Sequence, residues 1–205
     1  MRSKEAVKRK EAFTAEEVNL LMEKLPGDRI GLSIRLMLGT GMRMQELLAL
    51  EPQHIEEDGS IIHIRQAINM VKGTAIVGTP KSHDSYRDIP VPPNLRWCAL
   101  RLRTTTLKYI WEAGKKWCPC NPSSFRKQFK AAIAQIEGVR ILTPHSCRHT
   151  YVSQMQALGV DLATIQSIVG HADIDMTQHY LHVQNSVRQQ AVNLFAEAFG
   201  DSKTQ

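Results

Sequence analysis

The residues best suited to chemistry in this 205-residue chain lie in one stretch, Thr143 to Val183. It holds His145-Ser146-Cys147-Arg148-His149, then Gly170-His171, then Tyr180. Among these, His145, His171, Arg148 and Tyr180 make a poor metal site or hydride-transfer site. They suit the movement of a phosphoryl group onto a phenol. A guanidinium offers a planar fork of donors that matches phosphate oxygens. A phenol, with a free pKa of about 10, becomes a nucleophile once a base or nearby cations help it. His145 and Arg148 are three apart on a helix that starts at Pro144, so they share a face. The plainer reading of the pair is a carboxylate-capped arginine beside a surface histidine. His171 follows Gly170, where a helix ends, and a helix C-terminus favours a cationic imidazole by roughly 0.3–1 kcal/mol. Tyr180, in His179-Tyr180-Leu181-His182, reads by itself as a half-buried core residue with its hydroxyl at the edge.

Two more cations lie in the N-terminal half. Arg43 occurs in Thr40-Gly41-Met42-Arg43-Met44-Gln45-Glu46-Leu47, in the first turn of a helix and three residues before Glu46. The macrodipole disfavours a cation there, but a guanidinium aimed at the same spot as the first backbone N–H groups suits an anion. The alternative is an Arg43–Glu46 surface pair, worth little. Lys81 sits in Thr79-Pro80-Lys81-Ser82-His83-Asp84-Ser85, a loop between two strand candidates. Taken alone it is a solvated loop lysine.

The elements that must position these groups can be read from caps and periodicity. Thr14 and Glu17 form a capping box for a helix that carries Val18, Leu21, Met22 and Leu25 and stops at Pro26-Gly27. A second helix runs from about Asp28 to Leu38, and Gly39-Thr40-Gly41 breaks the chain. A third carries Met44, Leu47, Leu48 and Leu50 and stops at Pro52. The texture then changes. Asp58-Gly59 signals a hairpin. The run Ser60 to Ile68 puts Ile62, Ile64 and Ile68 on one side at period two, and Tyr86 to Val91 is a second strand candidate. A loop around Gly78 to Ser85 separates them. Helical texture returns from Pro93. Asn121-Pro122 and Thr143-Pro144 pair an N-cap with proline at the first helical position. Asp161 caps a helix ending at Gly170, and Asp173 or Asp175 caps a short one holding Tyr180. A last helix, about Ser186 to Phe199, has Val187, Ala191, Leu194, Phe195 and Ala198 on one face. The fold class is mainly α with a small antiparallel β-sheet.

Hydrophobic residues make up 42% and charged residues 22% of the chain, a globular composition. No apolar run approaches the roughly 18 residues that span a bilayer. The basic segment Met1 to Lys10 precedes no apolar stretch, so it is not a secretory signal. A net charge of +6 favours a polyanionic partner, nucleic acid above all. Cys98, Cys118, Cys120 and Cys147 read as free thiols in a chain of this size without an export signal. Cys118-Pro119-Cys120 looks like half a zinc site, but no second closely spaced pair lies near it.

Taken together, these motifs resemble those of the tyrosine recombinases (phage integrases). Thr40-Gly41-Met42-Arg43 with Glu46 and Leu47 is similar to the family's first arginine motif. His145 to Thr150 resembles its HxxRH box, Gly170-His171 its glycine-histidine motif, and Tyr180 sits nine residues later, where the family keeps its nucleophile. Lys81, before Arg87-Asp88-Ile89-Pro90-Val91, falls where the family's hairpin lysine lies. The resemblance covers about Phe13 to Phe199. It implies the recombinase catalytic-domain fold and a site-specific recombinase, the integrase of a mobile element such as a conjugative transposon. In that chemistry Arg43 and Arg148 clamp the scissile phosphate and Tyr180 attacks to form a 3′-phosphotyrosyl bond. Lys81 protonates the leaving 5′-hydroxyl, His145 moves the tyrosine proton, His171 donates to the phosphate, and Glu46 orients the cations. No metal, ATP or other cofactor is implied. The implied partners are double-stranded DNA at element ends and targets, with no membrane, and further copies of the chain assembled on DNA. The place of action is the bacterial cytoplasm. Arg126, Lys127 and Lys130, on the helix after Asn121, are candidate DNA contacts, although a solvated helix face reads equally well.

The resemblance also sets expectations for domains: residues 1–13 as a basic linker at the end of a missing N-terminal region, 14–185 as the catalytic domain, and 186–205 as a helix and tail open to exchange between protomers. The family's N-terminal DNA-binding domain has no counterpart in the 13 residues before the first helix, which suggests a catalytic fragment or a minimal member. Three other readings compete: a type IB topoisomerase, a catalytically silent DNA-binding protein on the same scaffold, and a metal-dependent hydrolase using His145, His149, His179 and His182.

Overall fold

The computed structural model describes residues 11–79, 86–112 and 119–170. Lys81, Cys118, His171 and Tyr180 fall outside these residues, as do the short helix that should carry Tyr180 and the last helix from Ser186 to Phe199.

The caps act as their chemistry dictates. Helix α1 (Ala15–Lys24) opens on the capping box: the Glu17 backbone N–H donates to Thr14 Oγ1 at 3.3 Å, and the Thr14 N–H donates to Glu17 Oε2 at 2.8 Å. Asp28 caps α2 (Arg29–Thr40), Asn121 caps α5 (Pro122–Ile133) and Asp161 caps α7 (Leu162–Val169), each accepting from a backbone N–H. The remaining helices are α3 (Met44–Ala49), α4 (Arg96–Arg103) and α6 (Pro144–Ala157). Thr143 precedes α6 as expected, but its side chain makes no bond to the first-turn backbone.

Helix α2 is central. Leu32, Ser33, Ile34, Arg35, Leu36, Met37, Leu38 and Thr40 are all buried, and α1, α3, α4, α5 and α6 pack around them. It runs two residues beyond the expected Leu38. Gly39 does not break it; this residue makes room for Leu95, whose Cδ1 would lie 2.2 Å from a Cβ placed there. Buried Arg35 is not an orphan charge. Its guanidinium donates to the carbonyls of Met22, Leu25 and Pro26 at 2.5–3.0 Å, filling acceptors left over at the end of α1.

The β region differs from expectation in one respect. Strand β1 (Ile61–Ile64) pairs antiparallel with β4 (Arg87–Pro90), and Ile62, Ile64 and Ile89 are fully buried. The single expected run is interrupted after Ile64, and β2 (Ala67–Val71) pairs with an unexpected strand, β3 (Thr74–Gly78). The result is two small antiparallel sheets of two strands each. In β3 Ala75 and Val77 are half-buried against the core while Thr74 and Ile76 are exposed, and apolar Ile76 on the outer face hides that alternation in the sequence. Its hairpin is closed by Lys72 and Gly73, both at positive φ (48° and 82°), the geometry of a tight hairpin turn.

Ala12 and Phe13, just ahead of α1, are fastened to the domain. Phe13 is 3% exposed and its N–H donates to Thr150 Oγ1 of α6 at 2.9 Å. The Glu17 carboxylate accepts from the Arg140 backbone N–H, Nε and Nη2 at 2.7–2.9 Å. Those hydrogen bonds from Arg140 outweigh the opposing effect of burial and hold the Glu17 carboxyl down to about 2, from its ordinary 4.5. A folded-state pKa below the unfolded one stabilises the fold fully above pH 4.5, and that contribution is lost as pH falls from 4.5 toward 2. We expect Glu17→Gln to destabilise the domain by about 1–3 kcal/mol at pH 7. We also expect it to flatten the acid limb of stability against pH in thermal melts. Parallel limbs in the two proteins would remove Glu17 from the account.

Candidate active site

Helices α3 and α6 begin side by side, and their N-termini line one cavity of about 340 Å³. Its walls are Met42, Arg43, Met44, Gln45, Arg126, Thr143, Pro144, His145 and Arg148. Arg43 and Glu46 come from the N-terminal half of the sequence, His145 and Arg148 from the C-terminal half. The positive ends of the two helix dipoles add to a wall already carrying arginines.

Arg148 is 0% exposed, and its guanidinium is held by helix C-termini. Nη1 donates to the carbonyls of Gly41 (2.9 Å) and Val169 (2.5 Å), and Nη2 to that of Gly170 (3.2 Å). Gly41 ends α2 and Gly170 ends α7, so a cation sits at the negative ends of two helices. Gly41 is required here. Its φ is +65°, and an added Cβ would meet Tyr151 Cδ1 at 2.7 Å and Val169 Cγ1 at 2.9 Å. The sequence marks Gly41 as a helix stop; the packing adds that its carbonyl orients Arg148.

Arg43 is the N-cap of α3 rather than a member of its first turn. Its backbone N–H donates to Glu46 Oε2 at 2.8 Å and its Nη1 to Glu46 Oε1 at 2.9 Å. The pair is no surface ion pair, since the Glu46 side chain is only 2% exposed. Arg87, in β4, completes it: Nη1 and Nη2 donate to Oε1 and Oε2, both at 2.9 Å, and Nε donates to the Ile168 carbonyl at 2.6 Å. Burial alone would raise the Glu46 carboxyl. The Arg87 hydrogen bonds and the charges of Arg87 and Arg43 outweigh it and hold the group below its usual range.

His145 stands edge-on to His149, ring centroids 4.5 Å apart. His149 is 2% exposed, packed inward, while His145 lines the cavity. Cys147, the other nucleophile type in this stretch, is fully buried, and burial pushes its thiol up, so it stays protonated. Cys98 and Cys120 are likewise free and buried. Of the three basic residues expected on α5, Arg126 reaches the cavity wall; Lys127 and Lys130 are exposed and do not line it. The structure thus brings Arg43, Glu46, His145 and Arg148 together and adds Arg126. Arg87 was legible only as a neighbour of Lys81. Nothing in a strand arginine announces a partner 41 residues earlier. Among the described residues no cluster of His, Cys, Asp or Glu could hold a metal ion. Among them, too, no helix is long and apolar enough to cross a membrane.

A mainly helical domain with a small antiparallel β region and an arginine-lined cavity at two helix N-termini has the tyrosine recombinase catalytic fold. Its structural neighbours include the Tn1549 transposon integrase solved with transposon right end DNA (TM-score 0.72, 19% identity, 85% of this chain and 62% of that one). Another is the XerA recombinase crystal structure (TM-score 0.67, 21% identity, 99% of this chain and 68% of that one). The sequence profile of the phage integrase family matches residues 11–186, and the chain belongs to that family. Tyrosine recombinase XerA of Pyrococcus furiosus is 31% identical over 191 residues, covering 88% of this chain and 60% of its own length. Tyrosine recombinase XerC-like of Caldanaerobacter subterraneus is 28% identical over 214 residues, covering 92% of this chain and 54% of its own length. The chain therefore spans little more than half the length of these relatives.

Proposed function

We propose that this chain carries the catalytic domain of a site-specific DNA recombinase, an integrase or transposase that excises and integrates a mobile element. The observation that carries the reading is the convergence of Arg43, His145 and Arg148, from opposite halves of the sequence, on one cavity. Two guanidiniums and two helix N-termini form a cradle for a single phosphate.

In the proposed reaction the Tyr180 hydroxyl attacks the scissile phosphorus in line. A phosphorus–oxygen bond to tyrosine forms, the bond to the 5′ oxygen breaks, and Lys81 gives that oxygen a proton. His145 takes the proton of the phenol. Arg43 and Arg148 neutralise the non-bridging oxygens, whose charge grows in the transition state. His171, next in sequence after Gly170, whose carbonyl is bonded to Arg148, would donate a hydrogen bond to the phosphate. The phosphotyrosyl bond conserves the energy of the broken one, and a second strand's 5′-hydroxyl reverses the attack. The partners are double-stranded DNA, with Arg126, Lys127 and Lys130 as backbone contacts, and further copies of the chain joined through residues 186–205. Residues 1–13 act as the linker to a DNA-binding region, and residues 14–185 carry the reaction.

A nicked suicide substrate carrying an element end, incubated in excess chelator, is expected to yield an SDS-resistant protein–DNA adduct. Two such sites should recombine. Absence of the adduct would overturn the reading. Plasmid relaxation without two-site exchange would assign the topoisomerase reaction instead.

A further inference from the structure

Arg87 is buried, 8% exposed, and belongs to none of the roles above. It ties together three elements: α3, which carries Glu46, and α7 and β4, which lie near His171 and Lys81 in the sequence. Through Nη1 and Nη2 it grips both oxygens of Glu46 on α3, and through Nε it grips the carbonyl of Ile168 near the end of α7. Its own strand, β4, begins six residues after Lys81 in the sequence.

The Glu46 carboxylate is saturated by this arrangement. Oε1 accepts from Arg87 Nη1 and Arg43 Nη1, and Oε2 from Arg87 Nη2 and the Arg43 backbone N–H. With both oxygens shared, the carboxylate cannot swing toward Arg43 and neutralise it alone. The two guanidiniums are close: a Cβ built on Gly170 would lie 3.4 Å from Arg43 Nη1 and 3.5 Å from Arg87 Nη1. A Cβ there would be in ordinary contact with both, and it is the φ of +88° that favours glycine at this position.

We infer that Arg87 is a positioning residue for the phosphate clamp: by locking Glu46 it fixes where the Arg43 guanidinium points and leaves its positive charge available to the phosphate. This rests on the recombinase reading. Without Arg87, Glu46 pairs with Arg43 alone, and the clamp loses charge and direction while the cavity keeps its shape.

The test compares Arg87→Gln with the wild-type chain on two suicide substrates. One carries an ordinary scissile phosphodiester, the other a methylphosphonate at that position, which removes a non-bridging negative charge. On the phosphodiester, Arg87→Gln should form adduct about 10- to 100-fold more slowly, the usual cost of losing a group that orients an active-site residue. On the methylphosphonate the gap to wild type should shrink markedly, because there is less charge for Arg43 to neutralise. An equal defect on both substrates, or none on either, overturns the inference and leaves the recombinase reading standing. A wild-type chain that forms no adduct on the phosphodiester overturns both. Should Arg87→Gln fail to fold, Arg87→Lys carries the same comparison, since it keeps the charge but cannot hold both carboxylate oxygens.

Discussion

Tyr180→Phe is expected to abolish the covalent protein–DNA adduct while leaving DNA affinity nearly unchanged. The change removes one oxygen atom and no charge, so the phosphate cradle of Arg43 and Arg148 remains intact for binding. What disappears is the protein atom that bonds to phosphorus in the proposed reaction. Deleting a covalent nucleophile costs on the order of 10^6-fold in a well-studied hydrolase, and no other residue in the stretch is a ready substitute. Cys147 is fully buried with its thiol pushed up, and Tyr151 is half-buried with its phenol raised by burial. An SDS-resistant adduct formed at any appreciable rate by the Tyr180→Phe chain would move the nucleophile elsewhere.

Arg43→Lys is expected to bind DNA almost normally and to cleave it about 10²- to 10³-fold more slowly, the scale of losing one preorganised donor to a developing oxyanion. The reason lies in how Arg43 is held. Its Nη1 is committed to Glu46 Oε1 and its backbone N–H to Oε2. A guanidinium can make that bond and still present other donors to a phosphate, because its five N–H groups form a rigid fork. A lysine ammonium is a point charge on a flexible stem, and beside a buried carboxylate it would be drawn toward Glu46. Ground-state binding depends mainly on net positive charge, which the substitution keeps, so affinity and rate should separate. Single-turnover cleavage alongside equilibrium binding reads both. An equal fall in the two would make Arg43 a simple binding residue.

These two tests bear on residues that were legible for different reasons. Arg43 stood out because a cation at a helix N-terminus is locally unfavourable, and the structure supplies the compensation in the buried Glu46 carboxylate. Tyr180 gained meaning only from its order and spacing after Arg148 and His171.

Local chemistry was readable throughout. Thr14 with Glu17, Asp28, Asn121 with Pro122, and Asp161 act within a few residues of themselves, so their side chains announce where helices begin. The buried positions Ile62, Ile64 and Ile68 follow from period two for the same reason. Strand β3 escaped because exposed Ile76 is as apolar as the half-buried Ala75 and Val77 beside it, which hides the alternation. Whether Arg126, Lys127 or Lys130 would reach the site was equally hidden, since all three occupy one helix and only its docking against α2 and α3 selects Arg126.

By itself, then, the sequence determined the helix starts, the mainly helical class with its antiparallel interruption, and the set of groups capable of phosphoryl chemistry, because each depends on neighbours close along the chain. Only the tertiary structure decided that Arg148 is held by the carbonyls of Gly41, Val169 and Gly170. It alone decided that Glu46 is buried and shared between Arg43 and Arg87, and that Arg126 joins their cavity. These partners are brought close by packing between elements: α6 against α2 and α7, α7 against β4, and α3 against α2 and α5. A bond between residues far apart in the chain leaves no mark in the local pattern at either end.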